Sequence, residues 1–220
     1  MKFNRMFKAI IFDFDDTLLA TFEVRCQAFI EASAHFHYLI SEDTVRKNWG
    51  KPLPRFILDV LPGINVKEFE EYYLEFITKH PSRLLPGAID ILSALQKRNI
   101  IMGIVSASSN QVLLHDLLRT NIYEFFSFIY GANDIKYYKP DPRALHPALE
   151  DFRLCGINKE YIAFIGDSLR DYWAARDNSL QFFAVSTGLD TRESFLENGL
   201  GEQFIADDLL GVKTLLFQPS

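Results

Sequence analysis

Short apolar runs alternate with amphipathic segments along most of the chain, and this alternation predicts a layered α/β fold. Continuous apolar runs bounded by turn residues are typical of strands that are buried on both faces, as in parallel sheets. Five such runs are present, at residues 9–12, 100–105, 126–130, 161–165 and 182–185. Strands separated by helices are joined by right-handed crossovers. We therefore predict a doubly wound, Rossmann-like parallel sheet.

A different pattern fills the chain between the first two strands. Residues 17–81 contain apolar positions at helical spacing and no strand-like alternation, which predicts an all-helical insertion. Its helices are predicted over residues 21–38, 42–48, 52–61 and 66–80. The expected organisation is a core domain formed by residues 1–17 and 86–220, with a helical cap domain at 18–85. The two crossings near residues 17–20 and 81–85 are the expected hinges.

Helices of the core are predicted between the later strands. Pro86 is suited to the first helical position of a segment that ends near Arg98, and Ser108 or Ser109 can cap the next helix. Further helices are expected over residues 142–152, which Pro147 disturbs, and 170–177. A last helix is expected after residues 207–208.

Composition narrows the classes of function. The 220 residues are 48% apolar and 24% charged, as in an ordinary globular protein, and the net charge of 23 − 29 = −6 gives no general attraction for nucleic acid or anionic membranes. No apolar stretch approaches the roughly 20 residues that span a bilayer. Cys26 and Cys155 are far apart in sequence, which favours buried, reduced thiols over a disulfide. We expect a cytoplasmic monomer or homodimer with no nucleic-acid or membrane partner.

Three carboxylates, Asp13, Asp15 and Asp16, directly follow the first predicted strand. In open α/β sheets, ligands bind beyond the carboxyl ends of the strands. Two carboxylates this close are not easily ionised together without a cation, and oxygen ligands favour a hard ion such as Mg²⁺. The alternative is a solvated acidic loop, which charge runs often form.

Polar side chains at three later strand ends favour a binding site over a solvated loop. Ser106 follows the second strand, Lys139 the third, and Asp167 with Asp171 the fourth. Parallel strands bring these groups to one edge of the sheet. Such a set supports phosphoryl transfer: Asp13 attacks phosphorus, and a divalent cation and Lys139 offset the charge. Asp13 and Asp167 can hold the cation, Ser106 can donate to a phosphoryl oxygen, and Asp15 is placed to act as acid and base.

These segments resemble the four signature motifs of the haloacid dehalogenase superfamily, in the same order and over essentially the whole chain. The motifs are Asp13-Phe14-Asp15-Asp16-Thr17-Leu18, Ser106, Lys139-Pro140-Asp141-Pro142 and Gly166-Asp167-Ser168-Leu169-Arg170-Asp171. The helical insertion resembles that superfamily's four-helix cap. Leu85-Pro86-Gly87 and Val185-Ser186-Thr187-Gly188 are similar to its phosphoglycolate phosphatase and β-phosphoglucomutase branch.

The resemblance implies a role for each motif residue. Asp13 is the implied nucleophile and Asp15 the acid/base, with Mg²⁺ bound by Asp13, the Asp15 backbone carbonyl and Asp167. Ser106 and Lys139 are the implied phosphate-binding residues. Thr17 is assigned to substrate binding, and Asp171 and Ser168 are assigned to the surroundings of the metal ligands. The implied substrate is a small phosphorylated metabolite.

Three departures from the family pattern bear on the reaction. Asp16 stands where most members have Gly, and Arg25 and Ala20 stand where the mutase branch has His and Asp. The last two favour simple hydrolysis over the alternative of a phosphomutase. A receiver-like signalling protein also uses a phosphoacceptor Asp, but a receiver needs only about 120 residues, in the range of one small domain, and has no helical insertion.

A basic segment of the predicted cap offers a candidate for substrate recognition. Cations flank Trp49-Gly50, and a solvated basic edge is the simpler interpretation. The sharper hypothesis is that Trp49, Lys51 and Arg55 face the active site and bind the leaving group of the substrate, as lid residues often do.

Overall fold

The computed structural model describes residues 7–217 and confirms the predicted α/β architecture. Six parallel strands form the main sheet, in the order β5-β4-β1-β6-β7-β8. They are β1 Ala9–Phe12, β4 Ile101–Val105, β5 Phe128–Tyr130, β6 Ile162–Gly166, β7 Gln181–Val185 and β8 Ile205–Ala206. Five of the six were predicted. The sixth, β8, has two residues, which is too short to produce a recognisable pattern. Residues 1–6 and 218–220 of the predicted core domain lie outside the described residues.

Strand β1 lies at the centre of the sheet and contributes to two separate hydrophobic cores. Ile10 and Phe12 pack in one cluster with residues of helices α5, α6 and α10, while Ala9 and Ile11 pack in the other with residues of α7, α8 and α9. The alternation follows from the period of two in a strand. Burial on both faces explains why the sequence of this strand is an unbroken run of apolar residues.

Five of the six helices of the core have bounds close to those predicted, whereas α9 (Arg192–Glu197) was not predicted from the sequence. The six are α5 Ala88–Gln96, α6 Asn110–Arg119, α7 His146–Leu154, α8 Leu169–Asp177, α9 Arg192–Glu197 and α10 Leu209–Phe217. Two predictions need correction. Pro86 is not the first residue of α5, because the helix begins after Gly87, whose φ is +83°. Residues Pro142–Leu145 form a 3₁₀ helix, so Pro147 falls in the first turn of α7, where proline is tolerated.

Four helices follow β1 in the chain and form a bundle with a core of its own. They are α1 Phe22–His35, α2 Glu42–Asn48, α3 Leu53–Val60 and α4 Val66–Lys79. Their buried side chains form a cluster in which the Phe29 and Phe56 rings stack with centroids 3.9 Å apart. The structure does not determine the domain boundaries given above, which stay a prediction. We call helices α1–α4 the cap.

The prediction of an insertion without strands was wrong at its edges. Strand β2 (Leu19–Ala20) pairs antiparallel with β3 (Arg83–Leu84), so the chain leaves and returns to the core through a two-stranded ribbon. Each strand has two residues, and no periodicity can be read from so short a segment. The expectation of a buried thiol holds for Cys26, whereas Cys155 is exposed. No helix within residues 7–217 is long and apolar enough to cross a membrane.

Candidate active site

Three buried carboxylates meet at the carboxyl edge of the sheet. Asp13 follows β1, Asp167 follows the neighbouring strand β6, and Asp171 lies in the first turn of α8. One oxygen from each of Asp13, Asp167 and Asp171 lies within 4.8 Å of the others. The expected convergence of the first and fourth motifs is therefore observed, and it follows from the parallel pairing of their strands.

Two glycines leave the space that these carboxylates occupy. A Cβ atom at position 188 would lie 1.7 Å from Oδ2 of Asp167, and one at position 166 would lie 2.7 Å from the carboxylate of Asp171. Real Cβ atoms essentially never approach so closely. Gly166 and Gly188 are therefore required by the close approach of the backbone to the site.

The electrostatic state of the carboxylates fits a bound cation. Burial raises the pKa of Asp13 to about 7, opposed by the charge of Lys139 and reinforced by Asp171 and Asp15. Burial and the neighbouring Asp13 also raise the pKa of Asp167. Carboxylates in such surroundings resist ionisation unless positive charge is supplied. Oxygen donors at this spacing suit a hard divalent ion, with Asp13 and Asp167 as its candidate ligands.

Lys139 supplies positive charge to the cluster through contacts with two of its carboxylates. Its ammonium group pairs with Asp13 and lies 2.6 Å from Asp171, and it also donates to the Val105 carbonyl at 3.0 Å. Burial alone would lower the pKa of Lys139, but the attraction of Asp13 and Asp171 outweighs burial and raises it. The ammonium group therefore stays charged beside the proposed nucleophile.

Asp15 points away from the three clustered carboxylates and towards the cap. Its Oδ1 lies 2.5 Å from Nη1 of Arg25 on helix α1, and its Oδ2 accepts a hydrogen bond of 2.6 Å from Ser108. Ser106 is completely buried and lies 3.4 Å from the same oxygen. Arg25 also reaches Asp116 of α6 at 3.2 Å. A cap residue is thus in direct contact with the proposed acid/base.

Asp16, which replaces the usual glycine, adopts a φ of +57°. This left-handed conformation costs Asp less than most residues. Its Oδ1 accepts the backbone N–H groups of Thr21 and Phe22 at 2.8 and 3.0 Å, and its Oδ2 accepts Nε1–H of Trp49 at 3.0 Å. The side chain therefore caps the start of α1 and connects the acidic turn to the cap.

A cavity of about 330 Å³ lies between the acidic cluster and the cap. Trp49 and Lys51 line it, as predicted for residues that contact a leaving group, but the structure does not bring Arg55 into it. The Arg55 side chain is 71% exposed and pairs with Asp59 at 3.0 Å. Lys51 pairs with the same carboxylate at 2.8 Å.

The other predicted residues support the acidic cluster through hydrogen bonds, and of these Ser168 and Asp171 also line the cavity. Thr17 is completely buried and donates to Oδ1 of Asp167 at 2.9 Å. The Ser168 hydroxyl accepts the backbone N–H of Asp171 at 3.3 Å and Oδ2 of Asp171 accepts the backbone N–H of Ser168 at 3.2 Å, which forms a capping box at the start of α8. The hydroxyl also donates to the same Oδ2 at 2.5 Å. Ser168 and Asp171 thus fix each other's position by hydrogen bonds, and Asp171 also contacts the ammonium group of Lys139.

Several residues of the site were not identified from the sequence as site residues. Arg25 was noted only as a departure from the mutase pattern, Ser108 only as a possible helix cap, and Asp116 and Arg170 received no role. Ser108 follows Ser106 by two residues at the end of β4, which is a local signal. Arg25 carries no such signal, because its contact with Asp15 depends on how the cap is seated on the core.

Comparisons with known proteins agree with this geometry. The model of the haloacid dehalogenase-like hydrolase family matches residues 10–185. The pyrophosphatase PpaX of Oceanobacillus iheyensis is 25% identical over 215 residues, covering 95% of this chain and 96% of its own. A phosphoglycolate phosphatase of Thiobacillus denitrificans is 27% identical over 194 residues, covering 82% of this chain and 84% of its own. The crystal structure of a hydrolase from Pseudomonas syringae superposes with a TM-score of 0.77 at 21% identity, covering 96% and 97% of the two chains.

Proposed function

The chain belongs to the haloacid dehalogenase-like hydrolase family, and from this premise we propose that it is a Mg²⁺-dependent phosphatase that hydrolyses a small phosphorylated metabolite through an aspartyl phosphate on Asp13. The observation that carries the proposal is the contact of Lys139 with Asp13 beside the carboxylate of Asp167. A nucleophilic carboxylate, a fixed cation and a metal-binding carboxylate are the parts that phosphoryl transfer requires.

The proposed reaction has two chemical steps, and each residue of the site has a defined role in them. A carboxylate oxygen of Asp13 attacks phosphorus, the bond from phosphorus to the leaving oxygen breaks, and Asp15 donates a proton to that oxygen. Asp15 then takes a proton from water as the water attacks the phosphorus of the acyl phosphate, which releases phosphate and restores Asp13. Lys139 stays beside the phosphoryl group throughout, and the Ser106 hydroxyl can donate to one of its oxygens.

The metal would be held by the Asp13 and Asp167 carboxylates, and the family resemblance adds the backbone carbonyl of Asp15. When bound, Mg²⁺ neutralises the negative charge that the phosphoryl group and the carboxylates share. Thr17 orients Asp167 through its 2.9 Å hydrogen bond, and Asp171 orients Lys139. Outer contacts of this kind fix the direction of a metal ligand.

The names of relatives suggest which substrates to test first. Relatives named pyrophosphatase and phosphoglycolate phosphatase make inorganic pyrophosphate and 2-phosphoglycolate the first candidates for this chain. A phosphomutase is the second candidate, because mutases of the resembled branch use the same aspartyl phosphate. Arg25 in contact with Asp15, at the position where that branch has His, supports hydrolysis as the first choice. A cytoplasmic location and a monomeric or homodimeric state stay proposals.

The test is a panel of phosphorylated metabolites assayed with Mg²⁺, with and without a chelator. We expect phosphate release from one or a few compounds, abolished by chelation and by Asp13→Asn. Acid quenching during turnover should place a phosphoryl group on the peptide that contains Asp13. Asp43→Asn is the matched control, since Asp43 is exposed and, among residues 7–217, its carboxylate pairs only with Lys47 on the same helix.

Each alternative predicts a different result in the same panel. Turnover of a sugar phosphate that depends on a sugar bisphosphate would identify a mutase. A stable acyl phosphate without turnover would favour a receiver-like protein. Phosphate release that persists in Asp13→Asn would contradict the proposed nucleophile.

A further inference from the structure

Five cationic side chains line the cavity between core and cap, and four of them are already paired with carboxylates. Lys139 pairs with Asp13 and Asp171, and the other three pairs are Arg25 with Asp15 at 2.5 Å, Arg46 with Glu42 at 2.7 Å and Lys51 with Asp59 at 2.8 Å. The fifth is Arg170. Within residues 7–217, no carboxylate oxygen lies within 4.0 Å of its nitrogens.

The guanidinium of Arg170 is held at the cavity by a neutral contact with the cap. Its Nη1 donates to the backbone carbonyl of Trp49 at 3.1 Å. Gly50 makes room for this contact, because a Cβ atom there would lie 3.0 Å from Nη1 and the φ of Gly50 is +77°. Asp190 also lines the cavity, but its Oδ2 accepts the N–H of Leu169. The remaining donors of Arg170 are therefore not used by a carboxylate.

The position of Arg170 is unfavourable for a cation. It lies in the first turn of α8, where the helix dipole attracts negative charge and disfavours positive charge. Burial lowers the pKa of Arg170, although Asp171 and Asp190 act in the opposite direction. A partly buried guanidinium without an ionic partner reduces the stability of the free protein. An anion in the cavity would offset this cost.

We propose that Arg170 binds an anionic group, a carboxylate or a second phosphate, on the leaving-group side of the substrate. The planar guanidinium suits either group, because it can donate to both of their oxygens. The cap lines the same cavity with apolar side chains, among them Phe29, Leu53 and Phe56, and with three of the paired cations named above. The substrate class is thus a phosphate ester or anhydride whose leaving group carries a second anionic group. This inference rests on the proposed phosphatase function.

The test compares phenyl phosphate with its 2-, 3- and 4-carboxy derivatives as substrates of the wild-type chain and of Arg170→Gln. We expect Arg170→Gln to lower kcat/KM for at least one carboxyphenyl isomer by about tenfold or more, through KM, as for loss of a charge-assisted contact. Hydrolysis of phenyl phosphate should change less than about threefold. Arg170→Lys should recover part of the loss. Arg176→Gln, on the same helix but outside this cavity, is the matched control.

A binding measurement separates this inference from the proposed function. The same four compounds are titrated calorimetrically, with Mg²⁺ present, into Asp13→Asn and into Asp13→Asn combined with Arg170→Gln. Tighter binding of a carboxyphenyl isomer that depends on Arg170 supports the inference even if the wild-type chain turns over none of the compounds, which would count against the phosphatase proposal alone. Equal loss for all four compounds, or no binding of any carboxylated compound, would overturn the inference.

Discussion

Replacing Asp16 by Asn should loosen the cap without disturbing the acidic turn. Asn tolerates the left-handed conformation at φ +57° nearly as well as Asp. Its Oδ1 can still accept the N–H groups of Thr21 and Phe22. Its amide nitrogen, however, would take the place of the oxygen that lies 3.0 Å from Nε1 of Trp49, so two donors would face each other. The substitution therefore removes one contact between core and cap.

The expected size of the effect follows from the nature of that hydrogen bond. A hydrogen bond to a charged group contributes about 1.5–3 kcal/mol. The cap has its own hydrophobic cluster, so the loss should act mainly on opening of the cap and only weakly on unfolding of the core. At about 1.4 kcal/mol per factor of ten, the open population should increase by roughly 10- to 150-fold.

Two readouts report on opening of the cap. Acrylamide quenching of Trp49 fluorescence should increase in Asp16→Asn, measured in a Trp173→Phe background because both tryptophans line the cavity. Hydrogen exchange of the amides in α2 and α3 should accelerate by a similar factor. Asp43→Asn is the control, because Asp43 is an exposed carboxylate on the same cap. Unchanged quenching together with unchanged exchange would refute the reasoning.

Three further results are expected from the geometry. Gly188→Ala should weaken Mg²⁺ binding measured by calorimetry by about 100-fold or more, because its Cβ would lie 1.7 Å from Asp167. The rise in melting temperature on adding Mg²⁺ should be larger at pH 8 than at pH 6, since protons compete with the metal for Asp13, whose pKa is raised to about 7. Arg25→Met should lower the free energy of unfolding by about 3–5 kcal/mol in urea titrations, because it removes the cation that pairs with Asp15 at 2.5 Å and also with the buried Asp116 at 3.2 Å.

Each of these three predictions has a control variant. Gly201→Ala adds a methyl group whose three nearest atoms all belong to the flexible side chain of Gln203, so Mg²⁺ binding should persist. Asp13→Asn should remove most of the pH dependence of the Mg²⁺ effect. Arg46→Met breaks a surface pair worth about 0–1 kcal/mol. Equal effects in a variant and its control would contradict the corresponding explanation.

Sequence patterns predicted the site as far as it depends on the sheet. The strands are apolar because both faces are buried, and their parallel order brings Asp13 and Asp167 together without further information. The motif predicted that Lys139 lies in the site, and the structure adds an ion pair between Lys139 and Asp171. Two-residue strands such as β8 leave no periodicity to detect, so they could be found only in the structure.

The sequence did not predict which residues of the cap contact the core. Arg25 and Asp15 are ten positions apart in the chain, but their contact depends on how helix α1 is seated. Arg55 was predicted at the cavity from its place in a basic segment, whereas Asp59, one helical turn away, pairs with it on the exposed side of α3. Arg55 therefore lies in α3 and not in the loop after Trp49, and its ion pair with Asp59 keeps its side chain on the outer face of that helix.

The ribbon of β2 and β3 makes the inserted helices a separable module. Ala20 and Arg83 lie opposite each other in antiparallel register, so the two ends of the insertion are one strand spacing apart, about 5 Å. A tight turn of two residues can join strands at this separation. Replacement of the whole bundle by another of different size would therefore change the lining of the cavity while the clustered Asp13, Asp167 and Asp171 keep their places on the core.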